Sequence, residues 1–253
     1  PPRVSVDFII STYLFQGDRD HRHRRRWRGP QPIVLAVTRR TSIKDQVEAF
    51  GLPHTEVGRL CCNGRDIDFS HLVREHQEFA ILPMTPPWDV SRPTLLRPDR
   101  LARPAFLVDA TLGRLARALR MAGLNTLYRP EWTTADLLSR LGRSRRVLLS
   151  RNLDLLKRGE VVFGRYVRSD TPAAQLREVL SLFGLRELSH PLVRCLACNG
   201  LLKPVAKEAI LHRLEPLTIR YYDSFHCCPR CERIYWAGSH VARMQTSLKN
   251  ALD

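Results

Sequence analysis

No stretch of this chain is apolar for long enough to cross a bilayer, which takes about twenty consecutive apolar residues as a helix. The opening residues, Pro1 to Ile10, alternate as a strand does and lack the layout of a secretion signal. No Ser-His-Asp constellation and no phosphate-cradling Gly-rich loop stands out. Seven cysteines, an odd number, imply no disulfide framework, so a reducing cytoplasm is the expected compartment. Acid is also in short supply. The 253 residues carry 25 Asp and Glu against 41 Lys and Arg, a net charge of +16. A chain this basic is expected to meet a polyanion, because Lys and Arg that neutralise phosphates release counterions. The bias toward Arg fits as well: guanidinium is a planar fork for phosphate and stacks on bases. The excess concentrates in residues 105–184, with 14 basic side chains against 7 acidic.

What the cysteines do form is two knuckles, Cys195-Leu196-Ala197-Cys198 and Cys228-Pro229-Arg230-Cys231. A Cys-x-x-Cys turn delivers two thiolates to one side of a metal ion, and a second turn completes a closed tetrahedron. The four are expected to hold structural zinc. Two reducible disulfides or buried free thiols would explain the paired spacing poorly. Cys61, Cys62 and Cys227 are left over, and His226 and His240 are weaker candidates as ligands.

The length suggests two or three domains. Residues 1–83 read as strand, strand, helix, strand, strand, with Ile43, Val47 and Phe50 at helical spacing and Asn63-Gly64 as a turn. This order resembles the ubiquitin-like β-grasp, closest to the sulfur-carrier branch. The Gly-Gly end of those carriers is absent, since Pro83-Met84-Thr85-Pro86-Pro87-Trp88 stands there and the chain continues. A docking role, with a possible protein partner, is therefore expected in place of sulfur transfer. Within this segment Arg22, Arg24, Arg25, Arg26, Trp27 and Arg28 form a dense basic stretch suited to RNA, Trp27 stacking on a base and the Arg side chains bridging phosphates. A solvated surface loop is the alternative. Residues 84–104 hold five prolines and read as a semi-rigid linker.

Residues 105–188 alternate strand and helix, which predicts a parallel sheet. Ligands gather at the carboxyl ends of such strands. Those ends carry Asp109, then Asn152 and Asp154, then Asp170, with Asp136 in the first turn of an intervening helix. Convergent carboxylates in a basic protein would hold Mg²⁺ or Mn²⁺. Any one of them alone is more readily explained as an ordinary helix cap, and it is their convergence at one sheet edge that favours the metal. Residues 189–253 hold the knuckles and a basic tail. Tyr235 and Trp236 there suit either base stacking or packing.

The run Phe106-Leu107-Val108-Asp109-Ala110-Thr111-Leu112-Gly113-Arg114-Leu115-Ala116-Arg117 resembles the opening of the Mut-seven C-terminal RNase family, a branch of the PIN-like nucleases. Leu148-Leu149-Ser150-Arg151-Asn152, Val167-Arg168-Ser169-Asp170 and Tyr235-Trp236-Ala237-Gly238-Ser239-His240 extend the likeness. The resemblance implies an α/β, PIN-like domain with a zinc ribbon behind it, a ubiquitin-like domain before it, and divalent-metal-dependent cleavage of RNA. Asp109 matches the first family acid and Asp136 the helix acid, and Asp154 and Asp170 complete the expected catalytic set. Asn152 stands where the family has Asp, and an amide keeps an oxygen ligand but loses its charge. Arg114, Arg117 and Arg151 are the expected RNA contacts of this domain. The alternative is a factor that kept the fold, lost the chemistry and docks on structured RNA such as the ribosome.

Overall fold

The computed structural model describes residues 4–10, 33–37, 40–74, 76–185 and 193–238. The basic stretch from Arg22 to Arg28, with Trp27, lies outside them, as do His240 and the tail.

The N-terminal body is a five-stranded mixed sheet ordered β2-β1-β5-β3-β4. Strand β1 (Val4–Ile10) runs antiparallel to β2 (Ile33–Val37) and parallel to β5 (Glu78–Pro83). Strand β3 (Val57–Cys62) is antiparallel both to β5 and to β4 (Arg65–Asp66). First and last strands side by side, with one helix in the connection, is the ubiquitin-like β-grasp. Asn63 and Gly64 join β3 to β4 with φ of 48° and 77°, the two positive angles of a primed turn that matches strand twist. The helix Ile43–Ala49 starts on Ser42, whose hydroxyl accepts from the Asp45 N–H at 3.1 Å. It buries Ile43 and Val47 in a cluster with Leu60, Phe79 and Ile81.

Residues 84–104 are packed, not extended as a spacer. Val90 and Leu101 are buried, and Trp88 stacks on Phe183 at 5.3 Å and on Phe163 at 6.1 Å. Arg97 is buried between the two bodies. Its guanidinium donates to the carbonyls of Val57 at 2.9 Å, Thr55 at 3.0 Å and Val162 at 3.3 Å. Burial pushes the Arg97 guanidinium down to about 10, against the pull of Glu56. Prolines fix φ, so a segment held in place by a few apolar anchors loses little entropy on ordering.

The second body is a four-stranded, all-parallel sheet ordered β7-β6-β8-β9. These are β6 (Phe106–Val108), β7 (Thr126–Leu127), β8 (Val147–Ser150) and β9 (Gly164–Tyr166). Strands β6 and β8 are buried at every position, as a parallel sheet covered on both faces requires. Alternation sorts them: Phe106, Val108, Val147 and Leu149 join one cluster with helices Gly113–Met121 and Pro172–Phe183. Leu107 and Leu148 join the other with Leu137 of helix Thr134–Arg143 and Leu155 and Leu156 of helix Leu153–Leu156. Strand β9 is short, three residues of a longer apolar stretch. The Val161 N–H closes a turn onto the Arg158 carbonyl and so leaves the ladder.

The C-terminal body is a three-stranded antiparallel sheet of β10 (Lys203–Val205), β11 (Phe225–Cys227) and β12 (Ile234–Trp236). The knuckles flank it, before β10 and between β11 and β12. No helix among the described residues is long and apolar enough to cross a membrane.

Candidate functional site

The knuckles repeat one backbone device. The Asn199 N–H returns to the Cys195 carbonyl at 2.9 Å, and the Glu232 N–H to the Cys228 carbonyl at 2.7 Å. Asn199 and Glu232 then take positive φ, 66° and 58°, one residue past each second cysteine. Cys195, Cys198, Cys228 and Cys231 thereby bring their sulfur atoms within 4.8 Å of one another. A β-carbon on Gly200 would sit 3.1 Å from the Cys228 sulfur, so this position is kept small. The Tyr235 hydroxyl, 3.1 Å from the Cys195 sulfur, also accepts from the Leu196 N–H at 3.1 Å. Burial alone would raise Cys195, but bonds from Tyr235 and the Cys198 N–H hold its thiol below the ordinary range. Burial and the neighbouring sulfurs raise Cys198 and Cys231. Thiols this close resist ionising together unless a cation joins them. Four soft, convergent donors with no further side chain in the set fit a metal such as zinc. Tyr235 is thus engaged at the knuckle, and Trp236 faces Phe225 and Tyr222, so both aromatics pack.

The knuckle is fused to the parallel sheet by one buried arginine. Arg120 donates to the carbonyls of Thr126 at 2.9 Å and Tyr128 at 3.2 Å on the β7 side. It also donates to those of Leu196 at 2.9 Å and Ala197 at 2.8 Å within the first knuckle. Asn199 adds a bond from the Thr126 N–H to its side-chain oxygen at 3.0 Å.

At the carboxyl edge of the sheet Asp109 is buried between β6 and β8. Its Oδ1 accepts from the Thr111 N–H at 2.9 Å and hydroxyl at 2.6 Å. Its Oδ2 accepts from the Ser150 hydroxyl and from the Arg151 N–H. A carboxylate offers about four acceptor sites, and all are taken here. Asp170 is half-exposed and paired with Arg151 at 3.2 Å. Asn152 is the N-cap of helix Leu153–Leu156, its side-chain oxygen accepting from the N–H groups of Asp154 and Leu155. Asp154 is exposed on the first turn of that helix. Asp136 closes a capping box with Thr133 at the start of helix Thr134–Arg143. Among the described residues, the four cysteines are the only group of three or more His, Cys, Asp or Glu within metal-binding reach. No three of Asp109, Asp136, Asp154 and Asp170 lie within that reach of one another: Asp109 and Asp136 are engaged as caps, Asp170 pairs with Arg151, and Asp154 is exposed.

What the edge does offer is a basic cleft. A cavity of about 570 Å³ lies between helix Gly113–Met121 and the β8 and β9 ends, lined by Arg114, Arg117, Arg151, Asp170, Tyr128 and Gln175. The three arginines expected at this domain come together there with Asp170, while Asp109, Asp136, Asn152 and Asp154 do not line it. Arg114 and Arg117 are exposed on one helix face. Sequence reasoning did not single out Tyr128 or Gln175. Tyr128 follows β7 and Gln175 lies in helix Pro172–Phe183, and neither belongs to a motif that would mark it.

A family model described as Mut7-C RNAse domain matches residues 104–248, more than half of the chain, and one described as Mut7-C ubiquitin matches residues 21–89. No curated protein and no solved structure matches the chain. The order of the two matches is the order of the β-grasp and the parallel sheet, and the first points to a ribonuclease-like, RNA-related role. The chain belongs to the Mut7-C RNAse domain family.

Proposed function

We propose that this protein binds RNA along the carboxyl edge of its parallel sheet. The observation that carries the reading is the cleft, where Arg114, Arg117 and Arg151 face a single carboxylate, Asp170. Guanidinium forks match phosphate oxygens, and Tyr128 offers a ring on which a base can stack. The saturated hydrogen bonding of Asp109 and the capping roles of Asn152 and Asp136 support binding over turnover. A ribosomal target and the cytoplasm are proposals of the same kind, argued from the charge and the reduced thiols. So is a protein partner for the ubiquitin-like domain.

A second reading is cleavage of RNA, favoured by the family match and by the burial of Asp109 at the end of β6. One experiment separates the two. Full-length protein is titrated into labelled single-stranded and structured RNA across a salt series, then incubated with Mg²⁺, Mn²⁺ or chelator. Binding that weakens steeply with salt, with no new ends in any divalent ion, is the expected result. Divalent-dependent products lost in Asp109→Ala would establish the second reading, and absence of binding at low salt would defeat both.

A further inference from the structure

A second cavity, of about 730 Å³, opens between the zinc knuckles and the β7 side of the sheet. It shares Gly113, Arg117 and Tyr128 with the cleft, so the two adjoin. Six arginines line it, namely Arg117, Arg120, Arg129, Arg140, Arg230 and Arg233, against one carboxylate, Glu131. These arginines are not equivalent. Arg120 spends its donors on four backbone carbonyls and forms a fixed brace joining the two walls. Arg140 lies over the Trp132 ring, 3.9 Å from its centroid. Arg129 pairs with Glu131 at 3.3 Å on the exposed surface, a contact of little worth in water. Arg117, Arg230 and Arg233 are exposed, and their guanidiniums have no carboxylate partner among the described residues. A bound tetrathiolate metal would carry net negative charge, which Arg120, Arg230 and Arg233 would partly offset. Arg117, Arg129 and Arg140 remain in excess on the far wall.

We propose that this groove is a second RNA subsite, so that a single strand leaving the Arg114–Arg151 cleft passes Tyr128 and runs between β7 and the knuckles. Arg117, Arg129, Arg230 and Arg233 take successive phosphates from the two walls. The stacked Trp132–Arg140 pair receives a base, because aromatic rings and guanidinium planes both stack on nucleobases. The metal knuckle is then one wall of the RNA track, and the Arg120 brace sets the width of the track before RNA arrives. This inference rests on the reading that the chain binds RNA.

The test uses the full-length, metal-loaded protein and fluorescent oligouridylates of about 6 and about 20 nucleotides, which bracket common single-strand site sizes. One variant carries Arg230→Ser with Arg233→Ser, and a second, remote from the thiols, carries Arg129→Ser with Trp132→Ala. A third, Arg114→Ser with Arg151→Ser, alters the cleft alone. Metal content and melting temperature are measured for each. Wild type should bind the longer probe more tightly. Both groove variants should lose about ten-fold or more of that affinity, and the salt slope should fall by ~0.7 for each phosphate contact removed. Unchanged affinity and slope in both groove variants, with loss only in the cleft variant, overturns the second subsite and leaves the cleft standing. No binding by wild type overturns both. A loss in the knuckle variant that tracks loss of metal, without a loss in the Arg129–Trp132 variant, also overturns the subsite.

Discussion

Glu56 of the ubiquitin-like body accepts the backbone N–H of Tyr166, the last residue of β9, at 2.7 Å. The same carboxylate meets Arg168 at 2.5 Å and Arg165 at 2.9 Å, and it is about as buried as a side chain can be, at 1% exposed. Two bodies that the sequence presents as separate domains are thus locked by a charge network at the edge strand of the parallel sheet.

That lock predicts a pH dependence. Burial by itself would raise the Glu56 carboxyl, yet Arg165, Arg168 and the Tyr166 N–H together hold it below its ordinary 4.5. Glu178, 3.9 Å from Arg165, and buried Arg97 complete the set of charges around it. A depressed folded value stabilises the fold fully above the unfolded value, and this contribution is lost as pH falls through the folded one. Glu56→Gln should cost roughly 3 kcal/mol at neutral pH, because it leaves two largely buried guanidiniums with only Glu178 to offset them. The variant should also be less sensitive to acid than wild type below pH 4.5. Urea melts at pH 7 and at acid pH measure both, and an unchanged melt would remove the lock.

Metal removal should act beyond the ribbon. Arg120 ties Leu196 and Ala197 to Thr126 and Tyr128, so a loosened knuckle releases the β7 edge. Chelation, or Cys228→Ser at a buried ligand, is expected to unfold the ribbon and to raise amide exchange at Thr126 and Leu127. Among the described residues the ubiquitin-like body shares no bond with the knuckles, and it should keep its protection. Uniform exchange in apo and metal-bound protein would contradict this coupling.

Asp109 offers a prediction that separates structure from chemistry. Asp109→Ala removes a cap from the turn at Ala110–Leu112 and leaves the Ser150 hydroxyl and the Arg151 N–H without an acceptor. A loss of about 1–3 kcal/mol in stability follows. RNA affinity, carried by the arginines, should stay within about two-fold, since Asp109 is not among the cleft-lining side chains. Affinity that collapses at unchanged stability would place Asp109 in the binding surface itself.

The pattern of cysteines and the strand order were legible because each is a local signal. Cys-x-x-Cys spacing and an Asn-Gly turn each dictate a backbone conformation within a few residues. The carboxylates were half legible. Their place at strand ends could be read, but capping or convergence depends on side-chain direction, and Asn152 and Asp136 turned to their own backbone. Least legible were the arginines. Composition counts every guanidinium as available charge, whereas Arg97 and Arg120 are buried and bonded to backbone carbonyls contributed from distant parts of the chain. The same failing hid the packing of residues 84–104, where prolines suggest a spacer but Trp88, Val90 and Leu101 find pockets that only the folded neighbours create.

Gly113 provides the sharpest test of where RNA lies. It opens helix Gly113–Met121 with φ −57° and ψ −34°, ordinary helical angles, so alanine would gain up to about 1 kcal/mol of helix propensity were the space free. The space is not free: a β-carbon there would strike the Tyr128 hydroxyl, with the ring carbon behind it at 2.8 Å. The obstacle is the far end of a side chain whose hydroxyl makes only a long 3.4 Å bond to the Ala110 carbonyl. The ring can therefore swing away, and Gly113→Ala should melt within a few degrees of wild type. Tyr128 lines both the cleft and the groove, however, and its displacement should weaken RNA binding by about five-fold or more, the scale of one lost base stack. Tyr128→Ala should weaken it similarly, and adding Gly113→Ala to that background should change nothing further, because the two substitutions act through one ring. Unchanged affinity in Tyr128→Ala would show that the strand does not touch this ring, and would move the RNA track away from the junction between cleft and groove; full additivity of the two losses would show that Gly113→Ala acts through something other than the ring.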